Sequence, residues 1–175
     1  MATARSGQSI IGRMLKHRWL DESDTRKAIP PELVERLGRR VAASEKRHTG
    51  EVRIYVEAGL PMSYLWRAAT PRERAVAMFG KLRVWDTEQN NGVLIYLLLA
   101  EHAIEIVADR GLSSKVDQEE WQRIVARMGD AFKQGRFEDG LTQALEEVSA
   151  LLVMHFPAQG GSPGANELPD QPVLG

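Results

Sequence analysis

The chain of 175 residues contains no cysteine. That absence excludes disulfides, thiolate metal sites, iron–sulfur clusters and a cysteine nucleophile together. Long apolar runs are missing too: the longest, 93–100, is far short of the ~20 residues that a membrane-crossing helix needs. The N-terminus lacks the basic start, apolar stretch and small-residue cleavage site of a signal peptide. The expected location is therefore the cytoplasm, with no transmembrane segment. Charge of one sign is not in excess, since 23 basic and 24 acidic residues give a formal net charge of -1. Nothing in that balance points to nucleic acid as a partner. Neither a P-loop nor a G-x-G-x-x-G fingerprint is present, so no organic cofactor is expected.

Other signatures fail on inspection. His17, His48, His102 and His155 show no zinc-ligand spacing. Gly160-Gly161-Ser162-Pro163-Gly164 matches G-x-S-x-G formally, but it lies in a Pro/Gly tail without the strand-to-helix elbow that the serine chemistry requires.

Three regions can be drawn from what is there. Residues 1–29 form a basic amphipathic segment: Arg5, Arg13, Lys16 and Arg18 occur in 1–18 with no acid, and Ile10, Ile11, Met14, Leu15 and Trp19 recur along QSIIGRMLKHRW. Such a helix either docks on its own domain or touches an anionic membrane surface. Residues 30–156 carry the α/β domain, and 157–175 form a Pro/Gly-rich tail expected to be extended or disordered in isolation.

Within the domain, Pro30-Pro31 opens a helix with Leu33, Leu37 and Val41 on one face. EVRIYVEA (51–58) alternates as a strand with one apolar and one more polar face. Thr70-Pro71-Arg72-Glu73 is a capping-box start for a helix presenting Ala75, Val76, Met78, Phe79 and Leu82 to the core. VLIYLLLA (93–100) reads as a strand buried on both faces, and AIEIVAD (103–109) as its hairpin partner. Two helices follow, marked by Trp121, Ile124, Met128 and Phe132 and then by Phe137, Leu141, Leu145, Val148 and Leu152. The order gives an α/β fold, a three-layer α/β/α sandwich whose small mixed sheet combines a right-handed βαβ crossover with an antiparallel hairpin strand.

That topology places WDTEQNNG (85–92) at the sheet end where the third strand also finishes. Asp86, Glu88, Asn90, Asn91, Asp109 and Arg110 should meet there, near His48 and Glu51. Hard oxygens of this kind suit calcium or magnesium, although Asn91 and Leu97 break the EF-hand register. The competing reading is an ordinary helix-to-strand turn.

The segment RVWDTEQNNGVLIYLLLAEHAIEIVADRGL (83–112), with FKQGRFEDGL (132–141) after it, resembles the TPM domain family of thylakoid-lumen acid-phosphatase-like proteins, photosystem II repair factors and many bacterial proteins. The resemblance covers about residues 30–155 and implies the same α/β/α sandwich. It also implies calcium binding at the loop edge and an acid phosphatase activity in some members. The chain looks like a cytosolic bacterial-type member. It departs from the family at Asp109-Arg110-Gly111-Leu112, where Gly-Tyr-Gly-Leu is usual.

The favoured expectation is an accessory or interaction domain with a protein partner, acting at the membrane surface or elsewhere. It would hold calcium or magnesium through Asp86, Glu88, Asn90, Asn91 and Asp109. The alternative is a metal-dependent phosphomonoesterase in which Arg110 clamps phosphate.

Overall fold

Six consecutive residues with no charge among them, Val93–Leu98, form strand β2, and every one is buried. The computed structural model describes residues 10–20, 22–158 and 165–175. Strand β1 (Val52–Glu57) lies parallel to β2, with Val52 opposite Val93 and Glu57 opposite Leu98. Strand β3 (Ala103–Ala108) runs antiparallel to β2 after a short 3-10 turn, and His102 takes a left-handed conformation (φ 49°) to reverse the chain. A fourth strand, β4 (Val173–Leu174), pairs parallel with Tyr55 and Val56, so the sheet order is β3-β2-β1-β4.

Helices cover both faces. Val52, Ile54, Val56, Val93, Ile95 and Leu97 point into one core with the buried faces of α3 (Pro31–Glu45), α7 (Gln118–Lys133) and α8 (Phe137–His155). The alternate residues Tyr55, Leu94, Tyr96 and Leu98 point the other way, onto α4 (Met62–Trp66) and α5 (Pro71–Lys81). The sequence-expected α/β/α sandwich is therefore the architecture, with an additional strand.

Local chemistry sets the element ends. Thr70 caps α5 by accepting from the Glu73 N–H while Glu73 accepts from the Thr70 N–H, the reciprocal pair that its spacing predicts. Asp117 caps α7 by accepting from the Glu120 N–H. Val76, expected in the core, is half exposed, because α5 turns only Ala75 and Met78 fully inward.

Three regions differ from their sequence pattern in informative ways. The polar face of β1 is not solvated: Arg53, Tyr55 and Glu57 are all buried. One cause is the tail, whose described residues 165–175 lie over that side of β1, seat Leu168 in the second core and end in β4. The G-x-S-x-G match at 160–164 lies outside the described residues.

The third region is α1 (Ile10–Arg18), which docks on its own domain through Arg13, His17 and Met14 and leaves much of its apolar stripe outside the contact. Arg13 donates to Glu101 Oε1 (2.7 Å) and to the Ala69 carbonyl (2.7 Å), and buried His17 lies 2.9 Å from Glu101 Oε1. His17 Nδ1 accepts from the Leu60 N–H. Met14 packs inward, while Ile11, Leu15 and Trp19 stay exposed. Between α1 and α3, α2 (Glu22–Ala28) runs alongside β1 and β4.

Candidate functional site

Backbone hydrogen bonds pin the 85–92 loop at the start of β2. The Val93 N–H donates to the Glu51 carbonyl (2.8 Å), which ties the loop's exit to the start of β1. The Asp109 N–H donates to the Gly92 carbonyl (2.9 Å) and the Gly111 N–H to the Asn90 carbonyl (2.8 Å), which ties it to the end of β3. Two glycines permit this closeness. A Cβ on Gly92 would overlap the Val84 carbonyl oxygen, and one on Gly111 would overlap the Gln89 and Asn90 carbonyl oxygens. Asn90 itself adopts φ 52°, a conformation that asparagine tolerates better than most residues.

Side chains complete the turn. Buried Asn91 donates from Nδ2 to Thr49 Oγ1 (3.2 Å) and from its N–H to Thr87 Oγ1 (3.1 Å). Thr49 Oγ1 donates onward to Gln89 Oε1 (2.9 Å). The loop is thus a well-bonded connector, for the reasons that place Asx and threonine residues in turns.

Of the sequence-predicted site residues, Asn90, Asn91, Asp109 and Arg110 come together around the Gly92–Gly111 crossing. Asp86 and Glu88 lie on the same loop but are exposed, and Arg110 is exposed in the first turn of α6 (Arg110–Ser113). The carboxylates do not gather: among the described residues no three His, Cys, Asp or Glu side chains are placed to hold a metal ion. Asp109 is the exception in its environment. Its Oδ1 caps α6 by accepting from the Arg110 N–H (2.7 Å), whereas its Oδ2 is buried with no hydrogen-bond partner. A buried carboxylate oxygen without a donor is costly and calls for a ligand or a functional reason.

A second group of ionisable residues, not singled out by sequence apart from His48 and Glu51, sits one layer over at the start of β1. Glu45, His48, Glu51 and Asp170 line a depression of about 200 Å³. Burial pushes the Glu45 carboxyl up to about 8, partly offset by the Val52 N–H that it accepts (2.9 Å) and reinforced by the neighbouring Glu51 charge. Burial also raises Glu51, although its two oxygens accept from the Glu167 and Leu168 N–H groups. Burial drives His48 down to about 4. Its Nε2 pairs with Ser44 Oγ at 2.8 Å. Arg53 is the buried cation among these acids and donates to the Gln171 carbonyl. The only sequence signal was charge on a strand's polar face. That signal becomes legible only once the tail is known to cover it.

At the far end of β1, Arg74 is held in a fork by the carboxylate of Glu57, which also accepts from Tyr96 Oη (2.8 Å). Hydrogen bonding to Glu57 raises Arg74 above its usual range, and burial raises Tyr96. These groups are mutually satisfied and structural.

Residues 23–151 match the TPM domain family. The chain belongs to that family. Its match starts within α2 and ends within α8, so it contains the whole β1-to-α7 unit and the loop crossing described above. This TPM domain is also similar to the BA42 protein of the psychrophilic bacterium Bizionia argentinensis, known from an NMR structure. The two are 26% identical, the match covers 84% of this chain and 95% of BA42, and the TM-score is 0.72. No curated protein matches the sequence. No helix among the described residues is long and apolar enough to cross a membrane.

Proposed function

We propose that this TPM domain is a non-enzymatic interaction module whose loop end binds a divalent cation, calcium before magnesium. The observation that carries the cation reading is the buried, unpartnered Oδ2 of Asp109, two residues from the Gly111 backbone on which the Gln89 and Asn90 carbonyls converge. Carboxylate and carbonyl oxygens are the donors that calcium takes, and its flexible coordination suits an irregular loop better than the strict octahedron of magnesium. Asp109 and the carbonyls of Gln89 and Asn90 would hold the ion, with Asp86, Glu88 and Asn91 on the same loop as further oxygen donors. A set with one buried carboxylate belongs at the weak end of calcium affinities, ~0.1–1 mM. The interaction role is supported by α1, which docks through polar side chains and leaves Ile11 (70%), Leu15 (53%) and Trp19 (82%) facing water.

Calcium titration followed by backbone amide NMR tests the cation. Shifts confined to 86–92 and 109–111 are expected, and Asp109→Asn should abolish them while keeping the helix cap, because asparagine caps as well as aspartate. No response at millimolar calcium rules the reading out. The alternative, a metal-dependent phosphomonoesterase using Arg110, gains standing only if the chain hydrolyses p-nitrophenyl phosphate and loses that activity in both Asp86→Ala and Asp109→Ala.

A further inference from the structure

The two edges of the sheet are not alike. The β1 edge is occupied by the chain's own β4, whereas β3 has no strand on its outer side among the described residues. Hydrogen-bond parity shows which backbone groups β3 presents outward. The Val93 N–H points to β1, and the Gly92 carbonyl takes the Asp109 N–H, so even-numbered residues of β2 face β3. Asp109, Val107, Glu105 and Ala103 therefore bond inward. Ile104, Ile106 and Ala108 turn their N–H and C=O groups away from the sheet. The Ile106 carbonyl confirms this parity, since it accepts a hydrogen bond from Arg72 Nη1, a side chain reaching across from α5.

A cavity of about 640 Å³ opens alongside those same residues. Its walls include Ile106 and Ala108 on β3, Arg72 on the α5 side, and Val116, Trp121 and Val125 on the α7 side. It therefore combines an unpaired strand edge with an apolar wall. A peptide backbone in extended form supplies the complementary donors and acceptors, and its period of two places alternate side chains against the wall.

We propose that this groove binds an extended segment of a partner protein, which adds to β3 as a fifth strand and seats an apolar side chain against Val116, Trp121 and Val125. The incoming N–H takes the Ile106 carbonyl from Arg72. Arg72 then closes on Glu105, whose carboxylate already lies 3.7 Å away. Burial raises the Glu105 carboxyl and Arg72 opposes that rise, so the exchange leaves both charges better compensated without needing a charge on the ligand. The molecule already uses this mode at its other edge, where the C-terminus adds β4 to β1. The proposal deepens the interaction reading by naming the partner's chemistry. It is independent of the cation, so losing calcium binding leaves it standing, and its own failure leaves the cation reading intact.

The test is selection of a phage-displayed library of short random peptides on the full chain, followed by binding measurements with the enriched peptides. Enriched sequences should alternate apolar with polar residues. N-methylation of one alternate set of peptide amides should weaken binding at least tenfold, and methylation of the other set should have little effect. Ala126→Trp fills the groove from an exposed position of α7 without touching the core, and should cost a similar factor with the fold intact by circular dichroism. No enrichment, or binding indifferent to both N-methylation patterns, overturns the proposal. Concentration-dependent dimerisation that protects the amides of Ile104, Ile106 and Ala108 without any peptide also overturns it, because the occupant would then be a second copy of this chain.

Discussion

The covered edge and the open edge of this sheet solve one problem in opposite ways. Every edge strand presents unpaired backbone groups that invite pairing. At β1 the chain supplies the missing strand itself, and anchors it with polar contacts: Glu51 accepts from the Glu167 and Leu168 N–H groups, Arg53 donates to the Gln171 carbonyl, and the Gly175 N–H donates to the Val56 carbonyl (2.8 Å). At β3 the only donor from outside the strand, among the described residues, that reaches an outward carbonyl is a half-exposed arginine side chain. An edge covered by its own chain contributes to stability. An edge guarded by a displaceable side chain remains available for binding.

The largest expected effect comes from uncovering β1. Ending the chain after residue 164 removes the burial of Leu168, Val173 and Leu174 and strips Arg53 of Asp170 and the Gln171 carbonyl. Burying an apolar side chain fully is worth ~1.5–3 kcal/mol, so losing Leu168 together with the partly buried Val173 and Leu174 puts the expected loss on the order of 3–5 kcal/mol, while Arg53, uncovered with them, returns to water. That is a large share of a typical domain's stability. Urea denaturation of the truncated chain measures it, and an unchanged midpoint would erase the energetic difference between the two edges.

A smaller effect follows from pH, and it too belongs to the covered edge. Glu45 rises to about 8 in the folded chain, so the folded state holds a proton that the unfolded state has already lost. The stability associated with the protonated form is complete below about 4.5 and is lost as pH rises towards about 8. His48 behaves oppositely: its folded value near 4 lies below the ordinary 6.5, so its contribution is present above 6.5 and is lost as pH falls towards about 4. Between 4.5 and 6.5 the two slopes oppose each other, and between 6.5 and 8 Glu45 acts without that opposition. Stability should then fall by at most ~1.4 kcal/mol per pH unit from this one proton. Glu45→Gln keeps an acceptor for the Val52 N–H and should flatten that slope. A slope unchanged by the substitution would place its origin elsewhere.

What the sequence made legible divides along the same line. The interior strand and its two neighbours were readable because burial on both faces leaves an uninterrupted apolar run, and alternation marks a strand that packs with one face. The capping box at Thr70 and the helical spacing of Trp121 to Phe132 were readable because they are local. The loop crossing was half legible: topology brought Asn90, Asn91, Asp109 and Arg110 together, but it could not show that Asp86 and Glu88 stay in water. β4 was illegible, because two apolar residues in a Pro/Gly-rich tail carry no period, and their partner lies more than a hundred residues away. The inward face of α1 was illegible for a related reason. Its stripe of Ile11, Leu15 and Trp19 outweighs Arg13 and His17 in any hydropathy pattern until Glu101 is known to lie opposite.

The smallest expected effect is at the open edge, and it sharpens the contrast most. Arg72 has about half its side chain exposed, and its ion pair with Glu105 is 3.7 Å long, so Arg72→Ala should cost under ~1 kcal/mol. Its consequences should be local. The Ile106 carbonyl loses its Arg72 donor, and Glu105 loses the charge that opposes its burial, so the Glu105 carboxyl should titrate higher still. A side-chain carboxyl NMR titration reads the second effect, and urea denaturation the first. A loss as large as that of the truncated tail would make Arg72 a structural strut instead of a removable cap. The two edges would then be equally committed to holding the fold.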